Sequence, residues 1–355
     1  GLRVLQARYI RAITVGGIFP QQQDVFGSYT RTQNSQNIAG GLLPLNTDTW
    51  VAGAGLFWEL DFWGKFRRSI ESADASLDAS IESYDAVLIS LLAETATAYV
   101  DLRTAQERLR YAESNLGIQK GTLKLAEIRL KAEAVTGLDV TQAQNVVANT
   151  AQLIPLYQNQ VRTANNALCV LLGIPPRDLS PELGEGPIPT PPADVVVGIP
   201  ANLLRRRPDV RAAERQVAAQ SAAIGVAAAD LLPHFSITGS ISWQAERFKN
   251  LFNVNSLAGS ISPGFNWDVL NYSRLINNVR LQDAAFQELA VNYQQTVLQA
   301  NAEAENAINA FLTTQERLVQ QNRAVNSSSE AVDVSLIHIS EPTRLDLASR
   351  RPSGA

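Results

Sequence analysis

Four short runs of alternating residues, set into a chain otherwise written for long helices, constrain the fold more than any other feature. Phe235, Ile237, Gly239, Ile241 and Trp243 alternate with Ser236, Thr238, Ser240, Ser242 and Gln244. Leu257, Gly259, Ile261, Phe265 and Trp267 alternate with Ala258, Ser260, Ser262, Asn266 and Asp268. Trp50, Ala52, Ala54, Leu56, Trp58 and Leu60 form a third apolar row, and the run from Val25 to Thr32 is a weaker fourth. A period of two places one class of side chain on each face of a strand. Each run has about 9–11 residues, the length of a tilted membrane strand.

The aromatic residues mark the same windows. All five Trp lie there, at Trp50, Trp58, Trp63, Trp243 and Trp267, as do nine of the eleven Phe. Elsewhere the vocabulary is Ala, Leu, Gln, Glu, Asn and Arg, which favours helix. That background keeps a seven-residue period. Leu102, Leu109, Leu116, Leu123 and Leu130 are in step, with Ala98, Ala105, Ala112 and Ala126 beside them. Val140, Val147, Ile154, Val161 and Leu168 form a second seam, with Ala143, Tyr157, Ala164 and Leu171. Such seams face a partner helix. No Pro occurs between Pro44 and Pro155, so Lys65 to about Lys131 can be one helix of roughly 100 Å. A short turn, Ala134 to Asp139, then predicts an antiparallel hairpin, kinked on its return by Pro155.

The expected fold class is α+β: long antiparallel coiled-coil segments plus four strands, arranged as a tandem repeat. The first repeat covers 1–172: an N-terminal helix, strands at about 22–33 and 49–61, and a hairpin over 64–172. A Pro-rich linker occupies 173–200, with eight of the sixteen Pro. The second repeat, 201–336, has a helix, strands at about 235–244 and 257–269, and a long helix over 272–336. Phe19-Pro20 and Leu232-Pro233 open equivalent strands, a period of about 210 residues that indicates duplication. Residues 337–355 break the pattern and read as a non-native tail. The chain opens on Gly1 and contains no Met, so any signal peptide or lipid-anchor Cys is expected outside it.

Composition excludes several classes. With 34 acidic and 30 basic side chains, net charge −4, a nucleic-acid-binding surface is not expected. One Cys and two His leave little for metal or nucleophilic chemistry, so no cofactor, no metal and no enzymatic activity are expected. His234 lacks a second His or Cys nearby, and Cys169 reads as a buried small side chain. Asp74 and Asp78 share a helix face, as solvated coiled coils often show. Arg205-Arg206-Arg207 precedes Pro208-Asp209, which reads as a helix start rather than an anion site.

Four amphipathic strands cannot close a barrel, and lipid does not tolerate an open sheet edge. Bacterial membrane barrels begin at eight strands. Either copies of the chain share a barrel, eight strands from two or twelve from three, or the strands form a soluble sandwich with Trp in its core. Trp near strand ends suits the interfacial belts of a membrane barrel.

Several motifs resemble those of the outer membrane factors, the TolC-like and OprM-like efflux channels, in their NodT-type lipoprotein branch. Leu203-Leu204-Arg205-Arg206-Arg207-Pro208-Asp209-Val210-Arg211-Ala212-Ala213-Glu214, followed by Ile224-Gly225 and Leu231-Leu232-Pro233, resembles the opening of that family's second repeat. Trp58-Glu59-Leu60-Asp61-Phe62-Trp63-Gly64-Lys65 is similar to its strand-to-helix passage, and Leu171-Leu172-Gly173 to the end of its first hairpin. Val135-Thr136-Gly137-Leu138-Asp139-Val140 resembles its periplasmic tip, with Glu133 where the family usually has Gly.

The resemblance implies a homotrimer with a twelve-stranded barrel in the bacterial outer membrane. It implies a helical tube reaching through the periplasm to an adaptor protein and an inner-membrane pump. Val135 to Val140 would meet the adaptor, and transport would be passive. The second tip, expected near Leu336, is missing. A periplasmic coiled-coil adaptor without a pore is the alternative, and it would bury Trp50, Trp243 and Trp267 in a soluble β domain.

Overall fold

The computed structural model describes residues 1–35, 44–184, 186–191 and 205–340. Helix α1 (Leu2–Gly16) leads into strands β1 (Gln22–Gln33) and β2 (Asn46–Glu59), then the long helix α2 (Lys65–Lys131). Helices α3 (Gly137–Ala151) and α4 (Leu153–Leu171) return along α2, and α5 (Ser180–Leu183) is a single turn. Helix α6 (Pro208–Ala229), strands β3 (His234–Ala245) and β4 (Leu257–Asn266), and helix α7 (Tyr272–Ser340) repeat the order helix, strand, strand, long helix. Of the expected linker, 185 and 192–200 lie outside the described residues, as do Leu203 and Leu204 and the tail from 341 onward.

The strands form one antiparallel sheet in the order β1-β2-β3-β4. Its centre joins the two repeats: β2 pairs with β3, Trp50 opposite Ala245 and Glu59 opposite Ser236. The outer edges of β1 and β4 pair with no other described strand.

The hairpin follows from its seam. Ala98, Leu102, Ala105 and Ala112 are buried on α2, and Leu109, Leu116 and Leu123 half-buried, along one stripe. Leu168, Cys169 and Leu179 close a small core against Ala98 and Leu102. Cys169 is fully buried, its thiol donating to the Arg177 carbonyl at 3.4 Å. Arg103 is only 3% exposed, yet among the described residues no acid meets it. Its guanidinium donates to the Leu183 and Gly184 carbonyls, each at 2.8 Å, and so caps α5.

Four boundaries differ from the sequence reading, each for a local reason. The returning helix, expected to be interrupted by Pro155, has its ladder open at Gln152, which itself keeps helical dihedrals of φ −65 and ψ −23. The Pro155 ring would clash with the Ala151 carbonyl four residues back, so the ladder opens one turn early. Strand β2 stops at Glu59 because Asp61 turns to accept from the Phe66 and Arg67 amides, at 3.0 and 3.2 Å, and caps α2. Strand β4 stops at Asn266, where the Trp267 indole turns away to the Leu231 carbonyl at 3.1 Å. Helix α7 continues to Ser340, past the expected end at Leu336. Ile337-His338-Ile339-Ser340 contains no breaker, and the first residue disfavouring helix is the one before Pro342.

Candidate functional site

Strand alternation gives the sheet two unlike faces. One carries Ser28, Thr30, Gly53, Gly55, Thr238, Ser240 and Ser260, with Ser240 and Ser260 hydroxyls 2.9 Å apart. The other carries Val25, Ala54, Leu56, Ile237, Ile241 and Ile261. Ile261 is 77% exposed.

Aromatic rings gather at both ends of the apolar face. At the loop end, Tyr29 stacks on Trp50 with ring centres 4.5 Å apart, and Phe248 meets Trp50 at 5.0 Å. Trp243 meets Phe252 at 5.9 Å. At the helix end, Phe62 lies 5.2 Å from both Trp63 and Phe235, and Phe235 lies 6.2 Å from Phe265. Eight residues separate Trp50 from Trp58, about 26 Å along the strand. On strands tilted by about 35–45° that is roughly 20 Å of height, somewhat under the apolar band of about 25 Å on outer-membrane barrels.

The Trp side chains at the helix end also tie strands to helices, and the ties repeat. Trp58 donates from Nε1 to the Ile18 carbonyl at 3.0 Å, and Trp267 to the Leu231 carbonyl at 3.1 Å. Ile18 and Leu231 occupy equivalent places in the two repeats. Trp63 crosses between repeats, donating to the Pro233 carbonyl at 2.8 Å. Polar tips are thus anchored while the ring bodies stay outside: Trp63 is 44% and Trp267 47% exposed. Trp50, Trp58 and Trp243 are half-buried. None of the five indoles is enclosed in a core.

Where sheet meets helices, the structure assembles a cluster that no spacing announces. His234 Nδ1 lies 2.8 Å from Glu59 Oε1, and Lys65 Nζ reaches Glu59 at 3.8 Å and Asp230 at 2.9 Å. Glu59 and His234 are 175 positions apart, so only the β2–β3 pairing brings them together. Gly64 has φ +80, a left-handed conformation that lets the chain turn sharply between this cluster and α2.

Arg206, Arg207, Pro208 and Asp209 open α6. Arg206 is exposed. Pro208 fills the first helical position, where no amide hydrogen is needed. Arg207 grips Asp209 with two bonds, at 3.1 and 2.8 Å, and reaches Glu303 on α7 at 2.6 Å. The guanidinium beside it holds the Asp209 carboxyl below the usual carboxylate range. The motif is therefore a clasp between α6 and α7.

At the far end of the hairpin, Thr136 begins α3 and Asp139 sits at its third position. Asp139 accepts from the Thr136 amide at 2.8 Å and from its hydroxyl at 2.7 Å. These bonds lower the Asp139 pKa, the hydroxyl's more than the amide's. Val135 and Val140 occupy the two positions of a hydrophobic staple around that cap, and Val140 is buried. Of the six tip residues, Val135 and Val140 therefore turn inward, while Leu138, 65% exposed, leads the outward surface. Glu133, just before the tip, has φ +57, the left-handed conformation that suits Gly.

Among the described residues, no group of His, Cys, Asp and Glu could hold a metal ion, and no helix is long and apolar enough to cross a membrane. The model for outer membrane efflux proteins matches residues 19–174 and 199–338. The chain belongs to that family, which is one of transport channels, not of enzymes. It is 32% identical over 313 residues to nodulation protein T of Rhizobium leguminosarum bv. trifolii, covering 87% of this chain and 66% of the relative. It is 30% identical to the pyoverdine export outer membrane protein OpmQ of Pseudomonas putida, over 92% of this chain and 70% of that one. The solved outer-membrane channel OprN superposes with a TM-score of 0.89 at 33% identity, covering 96% of this chain and 76% of that one. The chain thus spans about two thirds of the curated relatives it matches. Its α+β architecture, with four strands and long helices, is that of these channels.

Proposed function

We propose that this efflux-family chain is one subunit of a homotrimeric export channel in the bacterial outer membrane. Its helices form a tube extending into the periplasm, and it conducts small molecules passively. The observation that carries the reading is a four-stranded sheet with two open edges, an apolar face, and aromatic belts at both ends of that face. An even number of antiparallel strands repeats without breaking the pattern: β4 of one copy meets β1 of the next in antiparallel sense. Three copies give twelve strands, wide enough for a channel. Trp50, Trp58, Trp63, Trp243 and Trp267 are the interfacial residues of that barrel, set against outer-membrane lipid.

The tip from Val135 to Val140 is the surface that docks a periplasmic adaptor, which in turn joins an inner-membrane pump; Leu138 is its leading contact. No chemistry is done on the cargo, and neither a cofactor nor nucleic acid takes part. OpmQ carries pyoverdine export in its name, and a cargo of that general kind, a small molecule handed on by a pump, suits a passive conduit. The test is assembly and conductance. Detergent-solubilised protein is expected to run as a heat-sensitive trimer and to raise the conductance of a planar bilayer. A monomer that stays in aqueous buffer without detergent would refute the channel.

A further inference from the structure

The loop that joins β3 to β4, residues 246–256, lies against the apolar face of the sheet and not over its polar face. Phe248 meets Trp50 edge-on at 5.0 Å, and Phe252 meets Trp243 at 5.9 Å. Both indoles stand in the apolar rows of β2 and β3. Leu251, only 3% exposed, anchors the middle of the loop. Two single turns of 3-10 helix, Phe248–Asn250 and Val254–Ser256, are tied together where the Ser256 hydroxyl donates to the Asn250 carbonyl at 2.8 Å. The loop is therefore held in shape, yet Phe252 and Val254 are left 68% and 83% exposed. Arg247 and Lys249 flank Phe248 and are exposed too, and among the described residues neither has an acidic partner. Glu246 is the loop's one acid. Arg31 and Asp48, which face each other beyond Tyr29 and Trp50, pair at 3.9 Å and so add no net charge to this end.

We propose that this loop is a binding site for lipopolysaccharide, the lipid of the outer leaflet: Phe252 and Val254 enter its acyl layer, and Arg247 and Lys249 pair with the phosphate groups of its sugar head. The inference rests on the trimeric-channel reading above. Helices α1, α2, α6 and α7 all join the sheet at its other end, so the loop end is the one that meets the outer leaflet. Phospholipid lies in the inner leaflet, next to the helix end, and so is not the occupant. Exposed apolar rings on a fixed loop are costly in water and satisfied in lipid. The two cations select the head group. They flank a ring already docked on the aromatic belt, so their long side chains reach the layer just above the acyl chains. Arg247 offers a planar fork that matches phosphate, and Lys249 adds a point charge. Unpaired cations at this level are drawn to an anionic surface.

Native mass spectrometry of the detergent-solubilised trimer tests this, with lipid A carrying two phosphates, lipid A lacking them, and phosphatidylglycerol as probes. The wild type is expected to retain the phosphorylated lipid A in preference to both others. Arg247→Gln combined with Lys249→Gln is expected to weaken that binding roughly 30-fold, the joint effect of two cations near an anionic surface. Arg247→Lys combined with Lys249→Arg keeps both charges and should bind within a few-fold of the wild type; an equal loss in that exchange overturns charge recognition. Equal binding of phosphorylated lipid A by the wild type and the charge-free variant overturns the site. So does wild-type binding that ignores the phosphates or takes phosphatidylglycerol equally well. Conductance separates this from the channel itself. A trimer that conducts but does not discriminate among the lipids overturns the lipid site alone. A wild-type protein that stays a monomer in aqueous buffer overturns the channel and the lipid site together.

Discussion

Asp139 shapes the tip by accepting two hydrogen bonds from one residue, Thr136. Because those bonds favour the ionised carboxylate, its folded pKa lies below its unfolded value of about 3.9. Its contribution is therefore complete above that value and lost as pH falls through the lower, folded pKa. The helicity of a peptide covering 128–151 is expected to hold from pH 7 to about 5 and to fall below about pH 4. Asp139→Asn should flatten that acid limb; an unchanged profile would show that the cap does not hold the tip. Two residues before the tip's Val135, Glu133 adopts φ +57. Left-handed geometry strains an L side chain, whereas glycine adopts it freely but loses more entropy on folding. Glu133→Gly is expected to gain about 0.5 kcal/mol net, read as slower amide exchange across Ala132 to Thr136. Leu138, on the outward surface, should not affect that exchange.

Among the elements, the β2–β3 pair is the joint between the repeats, and Gly53 is its tightest point. A Cβ there would fall 2.5 Å from the Ser242 Cβ and 2.5 Å from the Ile241 carbonyl oxygen. Gly53→Ala is therefore expected to cost about 1–3 kcal/mol as the strands separate. Gly27→Ala, whose nearest neighbour would be the Val51 oxygen at 3.8 Å, should cost little. The fraction of heat-sensitive trimer recovered after refolding into detergent distinguishes them. This joint also shows where sequence reading reaches its limit. Alternation in Trp50 to Leu60 and Phe235 to Trp243 marks both strands, because a side chain's face depends only on its own chain. Which strand pairs with which, and in what register, depends on residues 177–195 positions apart, and no local pattern encodes it. The Glu59–His234–Lys65–Asp230 cluster was hidden for that reason. Asp61, Gly64 and Pro208 act within a few residues of themselves, so a strand-to-helix passage and a helix start could be recognised. Pro155 likewise marks an interruption of its helix, and the ladder opens at Gln152 because the ring acts one turn upstream of the residue that carries it.

For the whole molecule, the issue is which side of the sheet meets lipid, and one pair of substitutions on β4 decides it. Ile261 lies on the apolar face near the middle of the strand, 77% exposed, and Ser262 beside it on the polar face. The two share a backbone, an edge strand and a local sequence, so propensity and edge effects largely cancel between them. A lysine facing lipid near the bilayer midplane costs roughly 2–4 kcal/mol, whereas a lysine facing the lumen keeps its water. Ile261→Lys is thus expected to lower the yield of folded trimer in lipid vesicles sharply, by a factor of roughly 30 or more in the folding equilibrium. Ser262→Lys should fold like the wild type. In a soluble sandwich that hides the apolar face against another layer, Ile261→Lys would be damaging in aqueous buffer as well as in vesicles. A channel confines the loss to lipid, because in detergent a lysine can bend its head group to water at the micelle surface.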